Sequence, residues 1–120
     1  MTAVKRDLVI EKGATFRLNL RLSSKTTGLP LDLTGYSGRM QVRETLVAEV
    51  VALDLSGVDF TFDATGKCRV KASAARTTAL AIVGGVYDLE IESPAGDVER
   101  LFEGKVKIKP NVTRPPGTSP

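Results

Sequence analysis

Carboxylates and lysines are the residues in this sequence whose spacing invites a chemical reading. Asp59 and Asp63 stand four positions apart, and Asp88, Glu90 and Glu92 recur at every second position. Two carboxylates flanking a cleft are the machinery of glycoside hydrolysis. Such clefts are usually floored by aromatic rings, whereas this chain has four Phe, two Tyr and no Trp. Asp59-Phe60-Thr61-Phe62-Asp63 places both Asp side chains on one strand face, and the ~3.3 Å rise per residue sets them about 13 Å apart, too far to hold one calcium ion without help from a loop. At a period of two, the acidic row reads as the solvent face of a strand. Lys105, Lys107 and Lys109 form a basic row with the same period. That row would guard an exposed sheet edge against wrong pairing. It could also meet an anionic surface, or pair with Glu90 and Glu92 on a neighbouring strand or subunit.

The other usual chemistries lack their residues. The chain has no His and a single Cys, which removes the commonest general base, the Ser-His-Asp triad, a thiolate zinc site and an intrachain disulfide. No Ser-x-x-Lys spacing occurs, and Gly84-Gly85 precedes a strand pattern rather than the helix start that would cradle a phosphate. Cys68, on the apolar parity of Lys67-Cys68-Arg69-Val70, reads as a small buried side chain. The expectation is a protein that is not an enzyme, with no catalytic residues, no cofactor, no metal and no small-molecule substrate.

The elements that would position these residues alternate with period two. Phe16, Leu18, Leu20 and Leu22 alternate with Arg17, Asn19 and Arg21; Met40 and Val42 with Arg39, Gln41 and Arg43; Cys68, Val70 and Ala72 with Lys67, Arg69 and Lys71; Tyr87, Leu89 and Ile91 with Asp88, Glu90 and Glu92; Val106 and Ile108 with the lysine row. Half-buried antiparallel strands have this pattern. Shorter strands are expected at Leu8 to Glu11, Val50 to Leu55 and Val58 to Phe62. The last joins the Lys67 strand through Asp63-Ala64-Thr65-Gly66, with Gly66 supplying a positive φ. A second turn falls at Pro94-Ala95-Gly96-Asp97, and Gly104 would mark a bulge or bend in the final strand, Val98 to Lys109. Ser73 to Ala81 is Ala-rich, and Ser73 can cap it; it predicts one or two helical turns crossing between sheets, anchored by Leu80 and Ile82.

A length of 120 residues suits one domain, and 42% apolar with 26% charged residues is a globular composition. The net charge of +3 is divided evenly along the chain, eight basic and seven acidic residues in the first sixty, nine and seven in the second. That reads as a mixed surface, with nucleic acid not expected as a partner. No apolar run approaches the ~20 residues of a membrane span, and no signal-peptide core follows the basic residues near Met1. Four of the six prolines lie in the last eleven residues. The expected organisation is a flexible N-terminal arm over 1–6, one β-sandwich domain over 7–110 and a Pro-rich tail over 111–120. Both arms would order only against neighbouring subunits, and deleting them would leave the melting temperature nearly unchanged. The candidate interface residues are therefore Lys5, Arg6, Lys105, Lys107, Lys109, Arg114, Pro115 and Pro116.

Taken in order, several segments also carry a likeness. Glu11-Lys12-Gly13-Ala14-Thr15-Phe16-Arg17-Leu18 is followed by Gly28-Leu29-Pro30-Leu31-Asp32-Leu33-Thr34-Gly35-Tyr36 leading into Gly38 to Arg43. Thr77-Thr78-Ala79-Leu80 then precedes Gly85 to Ile91, and Gly96 to Gly104 runs into Lys105 to Arg114. Over roughly residues 8–114 this resembles small virion structural proteins of tailed bacteriophages, including the N-terminal domains of baseplate upper proteins. The resemblance implies an all-β, immunoglobulin-like antiparallel sandwich of about seven to eight strands. It also implies a noncatalytic assembly role, most directly in a tail or baseplate, with other phage structural proteins as partners and oligomers in the particle. The protein would be made in the host bacterial cytoplasm and reside in the virion. A head or collar decoration protein and a carbohydrate-binding adhesion module are the alternatives.

Overall fold

A computed structural model describes residues 3–112. The N-terminal segment gives β1 (Val4–Lys5) and β2 (Leu8–Glu11), followed by β3 (Phe16–Arg21), β4 (Ser37–Arg43) and β5 (Leu53–Ser56). A 3-10 turn, Gly57–Asp59, leads into β6 (Phe60–Phe62) and β7 (Lys67–Ala72). Helix α1 (Ala74–Thr78) comes next, then β8 (Gly84–Glu92) and β9 (Val98–Lys109). The strands form two sheets. The larger runs β5–β4–β8–β9, with β1 and β2 following one another along the outer edge of β9; the smaller is β3–β7–β6. The fold is an all-β sandwich.

The alternation does what the sequence predicts. Phe16, Leu18 and Leu20 of β3 and Cys68, Val70 and Ala72 of β7 turn inward. They meet Met40, Val42, Leu53, Leu55, Tyr87, Leu89, Ile91, Val106 and Ile108 from the larger sheet in one core. Residues three and four apart would share a helix face, but only every second residue is buried here, so a two-layer sheet structure is the arrangement that hides them all. The β6–β7 hairpin closes on Gly66 at φ 83°, a conformation that costs Gly little and other residues much. Helix α1 is shorter than the expected span. Ser73 caps it by accepting the Arg76 N–H at 3.3 Å, and Leu80 is buried just beyond it.

Three expectations are corrected. Residues 3–6 are not a free arm: β1 pairs with β9 in parallel, Val4 opposite Phe102 and Lys5 opposite Glu103, and the Arg6 N–H donates to the Glu103 carbonyl at 2.9 Å. The strand expected to start at Val50 starts at Leu53, and the preceding loop is exposed. The irregularity in β9 is not at Gly104 but at Leu101: the pairing with β8 steps from Leu89–Phe102 to Glu90–Arg100, leaving Leu101 as the extra residue.

Candidate interaction surfaces

Lys105, Lys107 and Lys109 are exposed along β9, but this strand is not an edge. It has β8 on one side and β1 and β2 on the other, so edge protection does not explain the lysines. Nor do they face Glu90 and Glu92. Lys105 lies opposite Val86 and Lys107 opposite Gly84, while Lys109 lies opposite Glu11 of β2. The acidic row is met by Arg100, whose guanidinium approaches Asp88 at 3.5 Å and Glu90 at 3.6 Å. It also lies 4.0 Å from Glu103. These pairs are partly exposed and each contributes little to stability. Lys5 and Lys105 instead line a shallow open depression of about 480 Å³, with Arg43, Asp88, Arg100 and Glu103 among its walls.

Arg6 is held by its backbone rather than offered by its side chain. Its carbonyl accepts the Tyr87 hydroxyl at 2.5 Å, and its guanidinium sits 5.7 Å from the Phe102 ring centre. Gly104 makes this possible, because the first carbon of any side chain there would enter the space of the Arg6 carbonyl. Asp7 Oδ1 accepts the Lys105 N–H at 3.0 Å, continuing the same seam. Arg114, Pro115 and Pro116 lie outside the described residues.

The first carboxylate pair set aside on spacing, Asp59 and Asp63, is occupied in building turns. Asp59 and Asp63 do not share a strand face: one closes the 3-10 turn and the other the hairpin. Burial alone would raise the Asp59 carboxyl, but the Arg76 guanidinium at 2.8 Å and the Ser56 N–H at 3.0 Å outweigh it and hold it below its ordinary value. Asp63 Oδ1 accepts from the Thr65 hydroxyl at 2.7 Å, the Thr65 N–H at 2.8 Å and the Lys67 N–H at 3.1 Å, which lowers its pKa. Asp32 is lowered in the same way by the Thr34 hydroxyl and N–H. Among the described residues no group of three or more His, Cys, Asp or Glu side chains is placed to hold a metal ion. Burial pushes the Cys68 thiol up to about 11, so it stays a protonated core group.

Two surfaces escape the sequence reading. The loop between β4 and β5 carries Leu46, Val47 and Val50 at 85%, 88% and 78% exposure. It is braced from inside by Arg43, which donates to the carbonyls of Ala48 at 2.6 Å and Glu49 at 3.2 Å. The outer face of the smaller sheet is the second. Its exposed positions are Arg17, Asn19, Arg21, Thr61, Arg69 and Lys71, with Lys67 half-buried. Alternation along single strands presents these residues separately; only the cross-strand register brings them together.

No protein-family profile matches the chain, and no curated protein matches it in sequence. Among solved structures it is similar to the N-terminal domain of phage TP901-1 ORF48. The identity is 15% and the TM-score 0.48, over 85% of this chain and 83% of that one. At that level nothing of what the neighbour does passes to this chain.

Proposed function

We propose that this protein is a noncatalytic structural component of a tailed-phage particle, placed in the tail or baseplate, where it docks on neighbouring subunits. The observation that carries the reading is the β4–β5 loop. Large apolar side chains held out in solvent by an internal Arg brace are costly unless a partner covers them. The ordered sequence motifs resembling small virion proteins supply the kind of partner, other structural proteins of the particle. The paired carboxylates Asp59 and Asp63 are spent on turns, and Asp88 and Glu90 of the acidic row lie beside Arg100. The sandwich supplies a rigid frame on which the loop and the sheet faces hold fixed relative positions.

Gold-labelled antibody against this chain, applied to intact particles in negative stain, tests the location. Label on tails or baseplates is the expected result. Label on heads or collars would move the protein to decoration of the capsid or neck, and no label on any particle would remove the structural reading.

A further inference from the structure

The register of the smaller sheet arranges five cations on one surface. Arg17 lies directly opposite Lys71, and Arg21 opposite Lys67. Between these two pairs, Arg69 on the central strand sits flanked by Asn19 of β3 and Thr61 of β6. Directly opposed side chains on one face lie about 5 Å apart, and successive rows about 7 Å apart. Arg69 thus has Lys71 and Lys67 on either side along its own strand and Arg17 and Arg21 diagonally across on β3. Among the described residues none of the five takes part in an ion pair. Asp63 at the hairpin rim feels the Lys67 charge but is already engaged by the Thr65 hydroxyl and two backbone N–H groups.

This arrangement is not explained by folding. Like charges directly opposite one another destabilise a sheet, and an acid at 71 or 67 would stabilise it. Edge protection would account for Arg17 and Arg21, since β3 is an outer strand, but not for Arg69, Lys71 and Lys67 on the central strand β7. The even spread of charge along the chain also conceals a segregation in space. Residues 3–112 hold sixteen of the seventeen basic residues and all fourteen acidic ones. Removing this face leaves eleven cations against fourteen anions.

We propose that the outer face of the β3–β7–β6 sheet docks a carboxylate-rich surface of a neighbouring protein, a partner of different sequence. This names the chemistry of one partner and rests on the assembly reading above. Three of the five cations are Arg, whose planar fork suits carboxylates, and Asn19 and Thr61 add neutral hydrogen-bonding groups between them. The face carries no aromatic ring on which a base could stack, and the net negative remainder of the molecule opposes a long polyphosphate. A second copy of this chain is the poorer fit because three of the acids on its larger sheet, Asp88, Glu90 and Glu103, are already shared with Arg100.

The test measures binding of fluorescent poly-L-glutamate and of a DNA duplex to the whole protein, at low and at physiological salt. Two variants are compared: R69Q/K71E on the face, and K105Q/K107E, which makes the same charge change on β9. Poly-L-glutamate binding that weakens with salt, falls roughly tenfold in R69Q/K71E and is unchanged in the control is the expected result. The melting midpoint of R69Q/K71E should be no lower than that of the parent, because K71E sets a carboxylate across from Arg17 in place of a like charge. Equal loss in both variants, tighter binding of DNA than of poly-L-glutamate, or self-association at low salt abolished by R69Q/K71E would each overturn the proposal. None of these measurements needs a particle, so their failure is separate from failure of the virion assignment.

Discussion

At the scale of single residues, several polar side chains in this protein build turns and pin elements together. Thr77 is the one fully buried polar side chain among the described residues. Its hydroxyl accepts the Gly13 N–H at 3.1 Å and donates to the Ala14 carbonyl at 2.8 Å, pinning α1 to the turn between β2 and β3. Thr77→Val keeps the shape and strands those backbone groups. It should cost about 1–3 kcal/mol in urea unfolding, and Thr77→Ser should recover most of that. The three turn-forming aspartates make a second prediction. Asp32, Asp59 and Asp63 are held below the ordinary value of 3.8 in the folded chain. Their contribution is therefore present above the carboxylate range and lost as pH falls through the depressed values. Thermal melts should show a midpoint that is flat from neutral pH down to the ordinary carboxylate range and declines below it. The decline should be shallower in D32N/D63N, in which two of these titrations are absent.

At the scale of elements, the N-terminus behaves as part of the sheet. β1 and β2 run along β9, and the gap between them is closed by Tyr87, whose buried hydroxyl is raised in pKa by desolvation and donates to Arg6. Removing residues 1–6 should lower the melting midpoint by several degrees, at about 4 °C per kcal/mol for a domain of this size. Tyr87→Phe should cost about 0.5–1.5 kcal/mol and reduce hydrogen-exchange protection at Arg6. The sequence shows why this was hidden. Val4 and Lys5 form too short a segment for any period to register, and their partner strand lies almost a hundred residues away. Strands such as β3, β7 and β8 were legible because burial on one face imposes a period of two. The β4–β5 loop was not, because Leu46, Val47 and Val50 resemble core residues when only composition is considered. Replacing Leu46 and Val47 together by Ser should leave the unfolding free energy within about 1 kcal/mol of the parent while reducing incorporation into particles in a complementation assay.

At the scale of the whole molecule, the proposed function rests on shape and charge distribution. The sandwich was readable from alternation, but the basic face was not. A strand's polar parity says only that Arg17, Arg69 or Lys71 faces outward, whereas pairing decides which outward residues become neighbours. The same pairing dismissed the lysine row of β9 as edge protection, because two N-terminal strands cover that edge. The assignment of this protein as a stoichiometric part of a tailed-phage particle stands or falls on quantitative mass spectrometry of gradient-purified particles. This chain should co-sediment with intact particles at a fixed ratio to the tail proteins, unchanged by further purification. A chain found in infected-cell lysate but washed away from purified particles would contradict the assignment.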